Sequence, residues 1–205
     1  MPKLGMAPIR REQICRAAAA VIAREGLPGT TMRMVAGEAG VSTGMLNHYF
    51  SNREALLTQT LVYVTERSQE RYRAAIEGLP PGRGRLEALL DSVLGDDREA
   101  VETWHVWINA YGEAVRLPAL RSTIEERLDE WFELLETALE GLVPLDGDRR
   151  IPWTWSVDAL LSGLAIQAMT SAAELRGEWI RDEVVSMVMA GAAPPAASPP
   201  EPIVD

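Results

Sequence analysis

One cysteine, Cys15, is all the chain has in 205 residues. A single thiol excludes an intrachain disulfide and supplies none of the paired-cysteine spacings of a zinc site, so packing in the first helix is the role expected of it. Long apolar runs are missing as well. Nothing approaches the roughly 20 uninterrupted apolar residues that cross a bilayer, and Met1 to Arg11 lacks the apolar segment that follows the charged start of a secretory signal. A soluble, cytoplasmic protein with no membrane partner is expected. Histidine is scarce: His48 and His105 are the only two, and neither has a nucleophile signature around it. There is no phosphate-cradling Gly-rich loop and no metal-ligand cluster, and acidic pairs such as Asp96-Asp97 and Glu125-Glu126 read as solvated helix faces. The expectation is a protein that is not an enzyme and holds no cofactor or metal.

Alternating strand patterns are absent too. What is present is helical periodicity, in a chain 47% hydrophobic and so able to build a substantial core. The fold class expected is all-α. A first helix is predicted from about Pro8 to Glu25, with Ile9, Ile14, Ala17, Ala18, Val21 and Ile22 as its apolar stripe and Gly26 as its stop. A second begins after Thr30, whose hydroxyl is placed to cap it, and ends at Gly40. A third spans Thr43 to Tyr49, and a long fourth runs from Arg53 to about Glu77. The prolines and glycines of Leu79-Pro80-Pro81-Gly82-Arg83-Gly84 interrupt the pattern. Further helices are predicted near Leu86 to Leu94, Arg98 to Val115, Pro118 to Val143, Pro152 to Leu175 and Arg181 to Met189. Ala, Pro and Ser dominate from Ala192 onward, which reads as a disordered tail over 192–205.

A net charge of -10 argues at first against a nucleic-acid partner. Its distribution argues the other way. Up to Leu57 the chain carries Lys3, Arg10, Arg11, Arg16, Arg24, Arg33 and Arg53 against Glu12, Glu25, Glu38 and Glu54, a balance of +3 that leaves -13 on the rest. Phosphates respond to the face that meets them, because exposed charges are screened over about 8 to 10 Å.

The run from Thr31 to Phe50 has the parts of a helix-turn-helix. Ala36 and Ala39 are small where two helices cross, Gly40 suits a turn with positive φ, and Val41, Leu46 and Phe50 are apolar anchors. Ser42, Thr43, Gly44, Asn47, His48 and Tyr49 are left to point outward. This pattern resembles the TetR family of bacterial regulators: Gly40-Val41-Ser42-Thr43-Gly44, then His48-Tyr49-Phe50, Arg53 and Leu56-Leu57, are similar to that family's recognition helix and its exit. The resemblance is close from Pro8 to Leu57. The opening Met1-Pro2-Lys3-Leu4-Gly5-Met6 with Pro8-Ile9-Arg10-Arg11 is similar to the subgroup of choline and betaine pathway repressors. One departure is Thr43, where many members have lysine.

The resemblance implies a DNA-binding regulator, by default a repressor released by a ligand, with a helix-turn-helix domain over 1–57 and a helical ligand-binding and dimerisation domain over 58–191. It implies phosphate or groove contacts by Thr31 and Arg33, a phosphate near Ser42 and Thr43, close backbone approach at Gly44, base or phosphate contacts by Asn47, His48 and Tyr49, and a phosphate clamp at Arg53. A two-turn reading helix sees few base pairs, so a homodimer on a palindromic double-stranded operator is expected, with reading helices about 34 to 36 Å apart. Val157, Leu160, Leu161, Leu164, Ala168, Ser162, Gly163, Ala165 and Ala172, with Val184, Val185, Val188 and Met189, offer its interface, or else core.

All six tryptophans follow the reading segment. Two readings fit them. Aromatic stripes pack cores; alternatively Trp104, Trp107, Asn109, Tyr111, Glu113, Trp131 and Trp155 line a cavity for a small-molecule effector, where aromatic faces beside carboxylates favour a cation. A ligand-dependent activator and a helical interaction module without DNA binding are the other readings of the whole.

Overall fold

The computed structural model describes residues 6–143, 150–170 and 177–191, with only the backbone at 6–9, 150 and 151. The predicted tail over 192–205 and Ala172 lie outside the described residues. Nine helices, and no strand, occur among those described: α1 (Met6–Gly29), α2 (Met32–Glu38), α3 (Thr43–Tyr49), α4 (Arg53–Ile76), α5 (Arg83–Val93), α6 (Arg98–Ala114), α7 (Pro118–Leu139), α8 (Arg150–Thr170) and α9 (Gly177–Met189). None of the described helices is long and apolar enough to cross a membrane. The chain forms two units whose division falls inside α4, after Glu70, and inside α7, after Asp129.

The first unit contains α1 to α3, most of α4, α6 and the start of α7. Its centre is α1, which is apolar on more than one side. Ile14, Cys15, Ala17, Ala18 and Val21 pack with Val35, Ala36 and Ala39 of α2, Leu46 of α3 and Leu56 of α4. Ala19, Ile22 and Leu27 pack instead with Leu57, Leu61 and Val64 of α4, Val106 and Ala110 of α6, and Leu120 and Ile124 of α7. Burial on both sides explains why α1 shows little one-sided amphipathy. Along α4 the hydroxyls of Thr60, Thr65 and Ser68 are buried, and each donates to the carbonyl four residues back at 2.7–2.8 Å, with Ser68 also 3.2 Å from the Thr103 hydroxyl of α6.

In the second unit α5 packs on α9 and α9 on α8. Leu86, Leu89, Leu90 and Val93 are buried in this unit, as are Leu135, Leu139, Trp153, Val157, Leu161, Val184, Val185 and Val188. Arg181 of α9 pairs with Asp91 of α5 at 2.9 Å, and Arg85 donates to the Leu79 and Thr137 carbonyls and to Glu140.

Four sequence expectations about helix ends are corrected. The cap of α2 is Thr31, which accepts from the Met34 N–H at 3.2 Å; Thr30 is buried and donates to the Gly26 carbonyl. Gly26 does interrupt α1, at φ 66° and ψ 166°, but a helical turn carrying Pro28 resumes to Gly29 and moves the cap along by one. The break begins earlier, at Gly78 (φ 72°), and ends at Gly82 (φ 132°), so α5 starts at Arg83 and takes Gly84 inside it. Helix α9 starts at Gly177, four residues before Arg181, where the backbone closes on the end of α5: a Cβ on Gly177 would lie 2.8 Å from the Leu94 carbonyl oxygen. Gly177→Ala should therefore destabilise the protein by about 1–3 kcal/mol in urea unfolding. An unchanged midpoint would mean that α9 shifts without cost.

Candidate DNA-reading face and effector region

The reading helix α3 is only seven residues long and needs support at both ends and along its back. Ser42 caps it by accepting from the Met45 N–H at 3.1 Å, and Gly40 (φ 65°) makes the turn before it, with the Val41 N–H donating to Ala36 O at 2.9 Å. Leu46 and Phe50 anchor its back in the first core cluster. Gln13 of α1 donates to the Ala39 carbonyl at 2.7 Å, tying α1 to the end of α2.

What this leaves outside is a contiguous row. Ser42, Thr43, Gly44, Asn47 and His48 are exposed, as are Thr31, Arg33 and Arg53; Tyr49 is half-buried against the core with its ring edge-on to His48 at 5.4 Å. Within the fold, Thr31 and Ser42 spend a side-chain oxygen on their caps, and the Arg53 guanidinium folds back to donate to the Leu27 carbonyl. Arginine has five N–H donors, so that bond leaves Arg53 able to meet a phosphate. Met45 is also exposed on this helix, at 42%. It was not singled out from the sequence, although an apolar side chain two positions before Asn47 on a two-turn helix with one buried residue was a signal.

Gly44 has a different property. A Cβ there would meet nothing closer than Ser42 Oγ at 3.9 Å, an ordinary contact. Nothing in the fold requires glycine at Gly44, and glycine inside a helix costs about 1 kcal/mol against alanine.

The residues suggested for an effector are divided between the units. Trp104, Trp107, Asn109, Tyr111 and Glu113 lie on α6 in the first; Trp131 and Trp155 lie on α7 and α8 in the second. Trp107 packs on the second core cluster and its ring lies 5.3 Å from Tyr111, which is partly the core-packing role. Asn109 is engaged at both ends of its carboxamide, to Leu27 N–H and His105 C=O.

In the second unit, Trp131 Nε1 donates to Asp158 Oδ1 at 2.8 Å. Tyr72 meets Trp131 edge-on at 6.0 Å, and Phe132 meets the exposed Trp155 at 5.3 Å. Trp155 lies three residues before Asp158 on the same helix, so the two are neighbours along one face. Burial raises the Asp158 pKa, opposed by the hydrogen bonds from Trp131 and Ser162. Asp158 was missed from the sequence. The signal was its position as a lone acid in the apolar run from Trp153 to Ala168.

The interface set divides. Val157, Leu161, Ala165, Val184, Val185 and Val188 are buried within the single chain because α8 and α9 pack on each other and α9 on α5, whereas Leu160, Gly163, Leu164 and Ala168 remain partly exposed and Met189 is 52% exposed.

A capped, back-anchored short helix following a glycine turn, mounted on a helical body, defines a helix-turn-helix DNA-binding regulator. Residues 14–60 match the description "Bacterial regulatory proteins, tetR family", and residues 81–191 match "BetI-type transcriptional repressor, C-terminal". Over 173 residues the chain is 33% identical to the HTH-type transcriptional regulator BetI of Rhizobium meliloti (strain 1021), covering 84% of each. A transcriptional regulator from Saccharomonospora viridis, solved in complex with choline, superposes at TM-score 0.76 with 21% identity, over 88% of this chain and 96% of that one. A TetR-family regulator from Rhodococcus sp. gives 0.74 with 27% identity, over 88% and 97%. The chain belongs to the TetR family of bacterial regulatory proteins, with a BetI-type repressor C-terminal domain, and is a DNA-binding transcriptional regulator. The resemblance seen from Pro8 to Leu57 thus extends into the helical body, where the sequence by itself offered only a helical layout.

Cys15 reports on the packing behind the reading helix. Burial pushes its thiol up to about 12, against a weaker lowering by the Thr60 hydroxyl. With the thiol buried and held protonated, a thiol reagent at pH 8 should label the folded protein far more slowly than the protein in urea. Equal rates would contradict a closed core at α1.

Proposed function

We propose that this protein is a cytoplasmic repressor that holds a palindromic operator as a homodimer and is released by a small organic cation of the choline kind. The observation that carries the DNA reading is Gly44: a helix-weakening residue with open space around it, at the middle of the exposed row, is explained by a phosphate backbone that must come close. Around it, Ser42 and Thr43 meet a phosphate, Asn47 and His48 face base edges, Met45 offers an apolar contact to a thymine methyl, and Tyr49, Thr31, Arg33 and Arg53 hold phosphates. The division of labour is reading by 1–57 and effector binding and dimerisation by 58–191, with 192–205 as a tail. Leu160, Gly163, Leu164, Ala168 and Met189 are the positions of α8 and α9 left to meet a second copy, the form typical of the family.

The cation assignment draws on the Asp158 carboxylate bonded to the Trp131 indole, with the Tyr72–Trp131 and Phe132–Trp155 ring pairs in the same unit, on the choline complex of the Saccharomonospora relative and on the BetI relationship. A carboxylate partly withdrawn from water beside an indole suits a quaternary ammonium, which offers charge without demanding hydrogen bonds. Of the α6 residues suggested from the sequence, which belong to the other unit, Trp107 and Asn109 serve the fold.

Two variants separate function from stability by opposite signs. Gly44→Ala should raise stability by up to about 1 kcal/mol and yet weaken operator binding at least tenfold in fluorescence anisotropy, an effect shared by Tyr49→Ala, with affinity falling as salt rises. A stabilised Gly44→Ala protein with full operator affinity would remove the close-approach argument. For Asp158 the folded pKa lies above the unfolded one, so its ionised form disfavours folding; that penalty is absent below the unfolded pKa and grows to its full size as pH rises through the folded pKa. Asp158→Asn keeps an oxygen for Trp131, should melt at the same or a higher temperature at pH 7, and should lose choline affinity about tenfold or more. Undiminished choline binding in that variant would rule out this carboxylate as the cation's partner.

A further inference from the structure

Gly26 leaves the helical region one residue before Leu27, so the Leu27 N–H loses the carbonyl that a continuous helix would have offered it. Leu27 is 2% exposed, and water does not replace that acceptor. Asn109 does: its Oδ1 accepts from Leu27 N–H at 2.9 Å while its Nδ2 donates to the His105 carbonyl, one turn back on α6, at 2.8 Å. Only this orientation of the carboxamide satisfies both partners, so the group is held at both ends. On the other side of the same residue, the Leu27 carbonyl accepts from Thr30 N–H at 3.0 Å and from Arg53, the first residue of the helix that follows the reading helix. The Leu27 side chain packs with Val106 and Ala110 of α6 and with Leu120 and Ile124 of α7, the helix that farther along carries Trp131. Through N–H, carbonyl and side chain, one residue joins α6, α4 and α7.

We propose that Asn109 is a positioning residue for operator binding: through the Leu27 peptide and Arg53 it fixes how α4 presents α3, and it is the point at which movement of α6 or α7 reaches the reading face. This rests on the regulator reading above but not on choline being the effector. Asn109 was suggested from the sequence as a ligand contact; both ends of its amide are instead committed within the fold.

The test uses the full chain with an operator selected from genomic fragments, and follows amide hydrogen exchange by mass spectrometry in free and operator-bound protein. In the wild type, operator should slow exchange in α3 and also over 105–111 of α6, which holds none of the proposed DNA contacts. Asn109→Leu, checked for folding by its melting transition, should keep the protection in α3, lose it over 105–111, and bind operator about three- to tenfold more weakly. Asn109→Asp retains the acceptor for Leu27 but loses the donor to the His105 carbonyl, so its operator affinity should fall between that of the wild type and that of Asn109→Leu. A choline titration adds a second arm: Asn109→Leu should bind choline as the wild type does while losing the choline-dependent fall in operator affinity. Wild-type protection that stops at α3 and α4, or full α6 protection in Asn109→Leu, overturns the proposal; an Asn109→Asp protein that behaves like Asn109→Leu overturns the role of the acceptor. Should Asn109→Leu fail to fold, the wild-type and Asn109→Asp exchange results decide. Operator binding indifferent to choline would sink the cation reading alone, since the exchange arm uses no choline.

Discussion

Everything in the reading unit depends on α1 being buried from more than one side. Ile14, Ala18 and Val21 are fully buried against α2, α3 and the start of α4, and Ile22 and Leu27 are as completely buried against α4, α6 and α7. Each large aliphatic side chain so enclosed contributes about 1.5–3 kcal/mol, far more than a seven-residue helix gains by itself. Helix α3 is therefore rigid by proxy: Leu46 and Phe50 fasten it to α1, and its outward residues are left free of structural duty. Because the same helix packs on α6 and α7, a shift of those helices cannot leave the reading face untouched.

The parts of the fold written in local chemistry were legible. Ser42 before a short periodic run, Gly40 at a positive φ and the apolar set of Val41, Leu46 and Phe50 act over a few residues, so reading them required no knowledge of the rest of the molecule. The α2 cap was read one residue early because Thr30 and Thr31 are chemically alike, and the turn of helix after Gly26 decides between them. Asn109 and Asp158 were another matter. The partner of Asn109 is 82 residues away and that of Asp158 is 27, and no periodicity reveals which amide will meet a broken helix or which tryptophan will hold a carboxylate. The tryptophans illustrate the same limit: Trp107 and Trp131 sit in different units for different reasons, though the sequence presents one aromatic series.

Stability and function are set against each other at two positions of opposite chemistry. Gly44 weakens its helix with nothing in the fold requiring glycine there, and Asp158 carries a charge disfavoured by burial where a neutral acceptor would serve Trp131 as well. Such residues are most simply understood by what comes from outside, a phosphate backbone in the first case and a cation in the second. Helices α4 and α7 are each continuous across the division between units, and Leu27 is held within the first unit where α4, α6 and α7 converge.

Linkage gives the most direct test of a repressor released by a small cation. If choline weakens operator binding by some factor, operator must weaken choline binding by that same factor. Calorimetric titration of choline into free protein and into the operator complex should give an affinity at least several-fold lower for the complex. Equal affinities, or no heat of binding in the free protein, would contradict the account.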